Sequence, residues 1–320
     1  MTDAARFLAD LEAEPDALTE LGDAFRAANP WDPLPAAAPR RVLLLGMGSS
    51  RYAAGVAALH LRAAGIDGVA EYASAETGWP PDRGTLVVAI SASGESAETM
   101  AAAERHRGTS RLVALTDRTE STIATMADLV VPLHAGEERG GVACRSFQHT
   151  GLMLRGLEAR LGGRPADLPA LCDRVATATV SLLASRDDWL PLVGRALDGP
   201  DGAYLMAPVE RLASAEQGAL MIREGPRRPA VACETGDWSH VDVYLAKTLD
   251  YRALLFAGSR WDGQAAEWLR RRGSTFVAVG ADIPSATATV RYPGDLVPDV
   301  AAFTEILVPE LLAAAWWAGA

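Results

Sequence analysis

The sequence predicts an α/β protein of two tandem domains, each a parallel sheet with helices on both faces. Three observations carry this. Short runs that are apolar throughout, such as residues 42–45 and 86–90, alternate with stretches of helical character. Strands apolar on both faces belong to sheets covered on both sides, because a half-exposed sheet would alternate apolar and polar residues. The alternation also occurs twice, before and after a Gly- and Pro-bearing stretch at 162–169, and 320 residues accommodate two domains of ~100–200 each.

The elements follow in order. Residues 3–28 read as helix, with Phe7, Leu8, Leu11, Leu18, Leu21 and Phe25 at helical spacing and Pro15 breaking or restarting it. Residues 30–39, rich in Pro and Ala, read as a linker. Strand 42–45 leads through a Gly-Ser turn to a helix ending near 64, and strand 86–90 leads through 91–96 to a helix ending near 107. Strand 112–115, a short helix at 121–127, strand 129–132 and a helix over 141–161 complete the first round. The second round has helices at 170–185, 213–223, 262–272 and 300–317, with strands at 203–207, 230–233, 252–257, 275–279 and 287–291. The expected division is an N-terminal helix and linker at 1–38, a first domain at 39–165 and a second at 166–320.

Charge and composition narrow the function. A net charge of −11 disfavours nucleic acid or an anionic membrane as partner, since both reward positive surface. It leaves room for a small phosphate held by backbone N–H groups and hydroxyls. The apolar run 311–317 is far shorter than the ~20 residues a bilayer span needs. The acidic N-terminus does not read as a signal peptide. Three separated cysteines without a CxxC fit a reducing, cytoplasmic setting, and five scattered histidines show no metal spacing, so neither a metal nor a cofactor is expected. Lys247 is the only lysine, so a Schiff-base mechanism would have this one side-chain amine to use.

Two loops after strands carry the chemistry. Gly46-Met47-Gly48-Ser49-Ser50 is a strand, a Gly-rich turn and a helix start. It can bring backbone N–H groups to an anion, or it can be a tight turn with Ser49 or Ser50 as N-cap. Ser91-Ala92-Ser93-Gly94-Glu95-Ser96 places three hydroxyls around a glycine at a helix start, more than one cap requires.

The run Ile90 to Ser96 resembles the I-S-x-S-G-E-T signature of sugar isomerase (SIS) domains, and Gly46 to Ser50 is similar to their G-x-G-[ST]-S turn. Two such domains after a helix containing Glu14-Pro15 resemble the isomerase half of glucosamine-6-phosphate synthase, and stand-alone isomerases, deaminases and deglycases of the same plan. The resemblance implies that Ser91, Ser93 and Ser96 bind the phosphate of a small phosphorylated sugar, aided by Gly48, Ser49 and Ser50. Ala135-Gly136 and Val142-Ala143-Cys144 resemble the segment lying along the sugar. Gln217 to Glu224 resembles the E-G-A-L-K-L-K-E helix, which implies that Glu224 is the proton-transfer base. Gly236 to His240 resembles G-E-x-K-H, which implies that His240 aids ring opening and is contributed by the partner of a homodimer with shared active sites. A carboxylate and an imidazole suit the two tasks of moving a sugar carbonyl: taking a carbon-bound proton and working at the ring oxygen.

Departures from the pattern matter as well. Ala92 replaces a Gln, Gln217 a Glu, Met221 a Lys and Cys144 a Ser, and Arg223 takes the second Lys position. The lysine-bearing tail and the glutaminase domain of the synthase have no counterpart in these residues. The loss of helix and tail lysines supports a second reading, a non-catalytic sugar-phosphate sensor. Lys247, seven residues after His240, reads as a surface or structural residue.

Overall fold

The computed structural model describes residues 3–35 and 39–319. The middle of the expected linker, 36–38, lies outside the described residues. In chain order the elements are α1 (Asp3–Glu12), α2 (Glu14–Ala27), β1 (Arg41–Gly46), α3 (Gly48–Ala63), β2 (Asp67–Tyr72), β3 (Thr85–Ile90), α4 (Ala97–Glu104), β4 (Arg111–Thr116), α5 (Thr122–Met126), β5 (Leu129–Pro132) and α6 (Arg145–Arg160). They continue with α7 (Leu168–Ala184), α8 (Arg186–Leu197), β6 (Ala203–Ala207), α9 (Leu212–Glu224), β7 (Ala230–Glu234), α10 (Thr235–Trp238), β8 (Arg252–Phe256), α11 (Asp262–Arg272), β9 (Thr275–Val279), β10 (Ala288–Val290), α12 (Pro298–Thr304) and α13 (Leu307–Ala318).

Two parallel five-stranded sheets result. The first runs β2-β1-β3-β4-β5 and the second β10-β9-β8-β6-β7. Read from the other edge, the second order is β7-β6-β8-β9-β10, the same winding as the first, so β1 corresponds to β6 and β3 to β8. The central strands are buried along their length, β3 at all six positions, as uniformly apolar runs require. Leu43, Leu45, Val87, Ala89, Leu112 and Ala114 build one core, and Met206, Ala253, Leu255 and Phe276 build the other with Trp238 and Tyr251.

The differences from expectation have local causes. The N-terminal helix is two helices, with Pro15 in the first turn of α2, where its missing N–H costs nothing. Residues 30–35 pack rather than link: Trp31 is fully buried and its indole donates to the Met153 carbonyl at 2.9 Å. Strand β2 has no apolar run because it is an edge strand with only one fully buried position. The helix expected from 141 begins at Arg145, and Glu138–Cys144 forms an irregular strap. The chain forms two compact units. One comprises Ala17–Glu137 with Arg145–Asp173, and the other residues 3–16, Glu138–Cys144 and 174–319. The stretch Pro298–Ala318 is long and apolar enough to cross a membrane, but it is 72% buried inside the protein and carries Glu305 and Glu310 at 0% exposure.

Candidate active site

In the first unit the loops after β1, β3 and β4 emerge side by side at the carboxyl edge of the sheet, where such folds bind ligands. After β1 the chain turns at once into α3. A Cβ on Gly46 would lie 2.9 Å from the Ser50 Cβ, and Gly48 has φ +49°, so both positions suit glycine. The N-cap of α3 is Met47, whose side chain caps nothing. Ser49 and Ser50 therefore do not cap the helix; they lie inside its first turn, half-buried.

The loop after β3 is the most constrained piece. The buried Ser91 hydroxyl accepts from Gly94 N at 3.1 Å, and the exposed Ser93 hydroxyl accepts from Glu95 N at 3.3 Å. Accepting leaves each hydroxyl its own proton to donate. Ser96 is the N-cap of α4, accepting from Thr99 N at 3.3 Å and donating to Glu98 at 3.1 Å. Gly94 has φ +69°, and a Cβ there would meet Ser121 Oγ at 2.0 Å. Glu95 turns both carboxylate oxygens to Thr122, at 2.8 Å from its N–H and 2.8 Å from its hydroxyl. Those bonds, the backbone one foremost, hold the Glu95 carboxyl below the usual range. The acid in the motif is thus turned away from any anion and ties the cradle to α5.

The cradle adjoins a cavity. Asp117 N and Thr116 Oγ1 both donate to the Ala92 carbonyl, at 3.1 and 3.2 Å. Asp117 and Arg118 then line an open cavity of about 590 Å³ with His134, Gly136, Glu137, Pro132 and Glu20. Gly136 is the glycine that the resemblance sets along the sugar. His134 takes φ +57° at the turn out of β5. Sequence reasoning missed Asp117, Arg118 and His134; their signal was their position directly after β4 and β5.

The second unit holds the other expected residues. Glu224 ends α9, exposed but partly desolvated, and that desolvation pushes its carboxyl above the usual range while Arg223 pulls it back. His240 is exposed, its N–H bonded to the Asp237 carbonyl at 2.8 Å. Its loop is anchored by buried Trp238, whose indole donates to the Tyr251 hydroxyl at 2.8 Å. α9 runs back from the carboxyl edge of β6, so Glu224 precedes β7 at the amino edge while His240 follows β7 at the carboxyl edge. The five residues of β7, at about 3.3 Å each, put roughly 15 Å of strand between the two levels. Within one chain the two side chains do not converge. Val142 and Cys144 are buried in the strap. Lys247 is exposed, its ammonium 4.9 Å from the centre of the Tyr244 ring.

Comparison with known proteins agrees with this plan. A glutamine–fructose-6-phosphate aminotransferase (isomerizing) of Aeropyrum pernix is 28% identical over 264 residues, which make up 76% of this chain. The match spans 42% of that relative's length, so this chain corresponds to less than half of it. The C-terminal domain of glucosamine-fructose-6-phosphate aminotransferase from Francisella tularensis superposes with a TM-score of 0.79 at 14% identity, covering 98% of this chain and 96% of that one. Tagatose-6-phosphate ketose/aldose isomerase from Escherichia coli gives 0.79 at 17% identity, covering 98% and 92%. Residues 37–157 match the SIS domain model, over the sheet that carries the serine loop. The chain thus carries a SIS domain over residues 37–157, followed by a second parallel sheet of the same winding.

Proposed function

We propose that the chain is an enzyme acting on a phosphorylated ketose, aldose or amino sugar, as an isomerase, deaminase or deglycase. The observation that carries this is the cradle: Ser91 and Ser93 hydroxyls, the Ser96-capped helix start and the turn Gly48 to Ser50, set beside a cavity of about 590 Å³. Hydroxyls and helix-end N–H groups suit a phosphate without a cationic side chain, which fits a chain of net charge −11.

In this reading Glu224 takes the proton from the sugar carbon next to the carbonyl. The electron pair left behind forms an enediolate, and the proton returns to the adjacent carbon. A carboxyl raised above its ordinary value by desolvation is a stronger base for this step. His240 passes a proton to and from the ring oxygen as the ring opens. Because Glu224 and His240 stand at opposite edges of the second sheet, the reading includes a homodimer in which a second copy supplies His240. The setting is the reducing cytoplasm, with neither nucleic acid nor membrane as partner.

One observation favours the sensor reading. Met221, at a lysine position of the resembled helix, is fully buried against Gln217, so that position has become core. Turnover separates the two. With a panel of hexose and hexosamine 6-phosphates, the enzyme reading expects product, and Glu224→Gln is expected to lower kcat by about 10²–10⁴-fold. Binding without turnover supports the sensor, and full activity of Glu224→Gln refutes the assigned base.

A further inference from the structure

The amino edge of the first sheet holds a second cavity, of about 250 Å³, on the side away from the cradle. Its lining residues all belong to the first compact unit. Thr85 and Leu86 line it from the start of β3, Arg111 from the start of β4, Arg40 from just before β1 and Arg83 from just before β3. Leu34 and Leu161 complete its apolar side. The surroundings are tied down. The Arg160 guanidinium bonds the Leu34 carbonyl, and the Gly84 carbonyl accepts from Arg40 N at 2.9 Å and Arg41 N at 3.3 Å.

Charge sets one end of a ligand. Among the described residues, three arginines line the cavity and no acid does. Asp82 stands beside it and compensates Arg40, at 2.8 Å. The Arg83 and Arg111 guanidiniums form no ion pair or hydrogen bond with any described residue. In a chain of net charge −11, two uncompensated guanidiniums at an acid-free cavity favour an anion. The guanidinium fork matches phosphate in particular. Thr85 is 1% exposed and its hydroxyl has no hydrogen-bond partner among the described residues, which adds a polar group to the lining.

The apolar side sets the other end. Leu34, Leu86, Leu161, Pro35 and Pro39 offer carbon where a sugar would need partners for its hydroxyls. Burying those hydroxyls unpaired is unfavourable, so a hexose phosphate is rejected here. The volume lies just below the ~300–1,000 Å³ of common ligand pockets, which limits the body to about one ring.

We propose that this cavity is a binding site for a small organic phosphate monoester with an apolar, single-ring body, in which Arg83 and Arg111 hold the phosphate and the leucines cover the ring. The six residues of β3, at about 3.3 Å each, set it roughly 20 Å from Ser91, so the two sites bind without competing. The site stands independently of the sugar-phosphate reading of the cradle.

Phenyl phosphate is the probe, titrated calorimetrically at low ionic strength, where such contacts are least screened. The proteins are the wild type, Ser91→Ala with Ser93→Ala, and Arg83→Gln with Arg111→Gln. One phenyl phosphate per chain is expected to bind whether or not the cradle hydroxyls are present. Loss of both guanidiniums is expected to weaken it about a hundredfold, roughly tenfold for each charged partner. In the protein lacking the cradle hydroxyls, inorganic phosphate and glucose 6-phosphate are expected to bind at least about tenfold more weakly than phenyl phosphate. No binding to that protein, undiminished binding to the arginine variant, or equal affinity for inorganic phosphate overturns the proposal. Should the arginine variant fail to fold, phenylglyoxal modification of the wild type, resolved by site with mass spectrometry, decides. Phenyl phosphate is then expected to protect Arg83 and Arg111 but not the exposed Arg227, and equal labelling of all three with and without it overturns the site. Failure of glucose 6-phosphate to bind the wild type bears on the cradle and leaves this site standing.

Discussion

At the scale of single residues, the cradle is defined as much by what each group is bonded to as by its type. Ser91, Ser93 and Ser96 were legible because three hydroxyls exceed what one helix cap requires. Their division of labour was not legible: one closes a turn, one caps Glu95 N and one caps α4. The role of Glu95 was hidden for the same reason, since its partner Thr122 is 27 residues away and only the packing of α5 brings it near. Gly94 is the most demanding position. Gly94→Ala combines a left-handed backbone with a Cβ 2.0 Å from Ser121 Oγ, and is expected to cost roughly 2 kcal/mol or more. Chemical denaturation of the variant checks this. Unchanged stability would show that the loop shifts freely, against the close packing described here. The exposed Ser93 offers the gentler variant: Ser93→Ala is expected to weaken phosphosugar binding while leaving the melting temperature within about a degree.

At the scale of elements, the strands were readable wherever they are central and the edge strand was not. β6 and β9 have the expected bounds because they are apolar on both faces, whereas β2 is Asp-Gly-Val-Ala-Glu-Tyr and reads as loop. Helix α6 shows how an element supports the site. Its His149 is fully buried, with Nδ1 2.9 Å from the Leu133 carbonyl at the base of the turn that carries His134. A carbonyl only accepts, so Nδ1 carries the proton, and Nε2 has no hydrogen-bond partner among the described residues. Burial foremost lowers the ring from 6.5 to about 4. The folded ring stays neutral where the unfolded one takes a proton. Stability is therefore undiminished above about pH 6.5 and falls by up to about 3 kcal/mol as pH drops toward 4. Melting temperatures across that range are expected to fall less steeply for His149→Gln than for the wild type. Equal slopes would place the acid sensitivity elsewhere.

At the scale of the whole chain, the duplication was legible in the alternating pattern, but its asymmetry was not. The strand β8 corresponds to β3, so Ala257-Gly258 stands where Ser91-Ala92 stands in the first sheet. There the buried Arg211 guanidinium bonds the Ala257 carbonyl and the Glu305 carboxylate. Gly258 has φ +142°, and a Cβ on it would lie 2.5 Å from Arg211 Nη2. The Gly258 and Ser259 N–H groups are taken by Asp262, at 2.6 and 3.1 Å. The second sheet has thus filled with its own side chains the place where the first sheet has its cradle, and calorimetric titration is expected to give one phosphosugar per chain. Two equivalent sites would contradict this. The placement of Glu224 and His240 at opposite edges gives a matching expectation. Inactive Glu224→Gln and His240→Ala proteins, allowed to exchange subunits, should recover activity toward about a quarter of wild type, because half the dimers then carry one intact site of two. No recovery on verified exchange would mean that each chain uses its own pair.

The central claim is that the loop Ser91 to Ser96 reads the phosphate of a sugar. Its most direct test is thermal unfolding with matched pairs of phosphorylated and unphosphorylated hexoses and hexosamines, on the wild type and on Ser91→Ala with Ser93→Ala. At about 100 times Kd a ligand adds ~2.7 kcal/mol, a shift of a few degrees for domains of this size. Stabilisation by phosphorylated members alone, lost in the double variant, is the result expected. Equal response to both members of a pair, or a response that survives removal of the two hydroxyls, would contradict it.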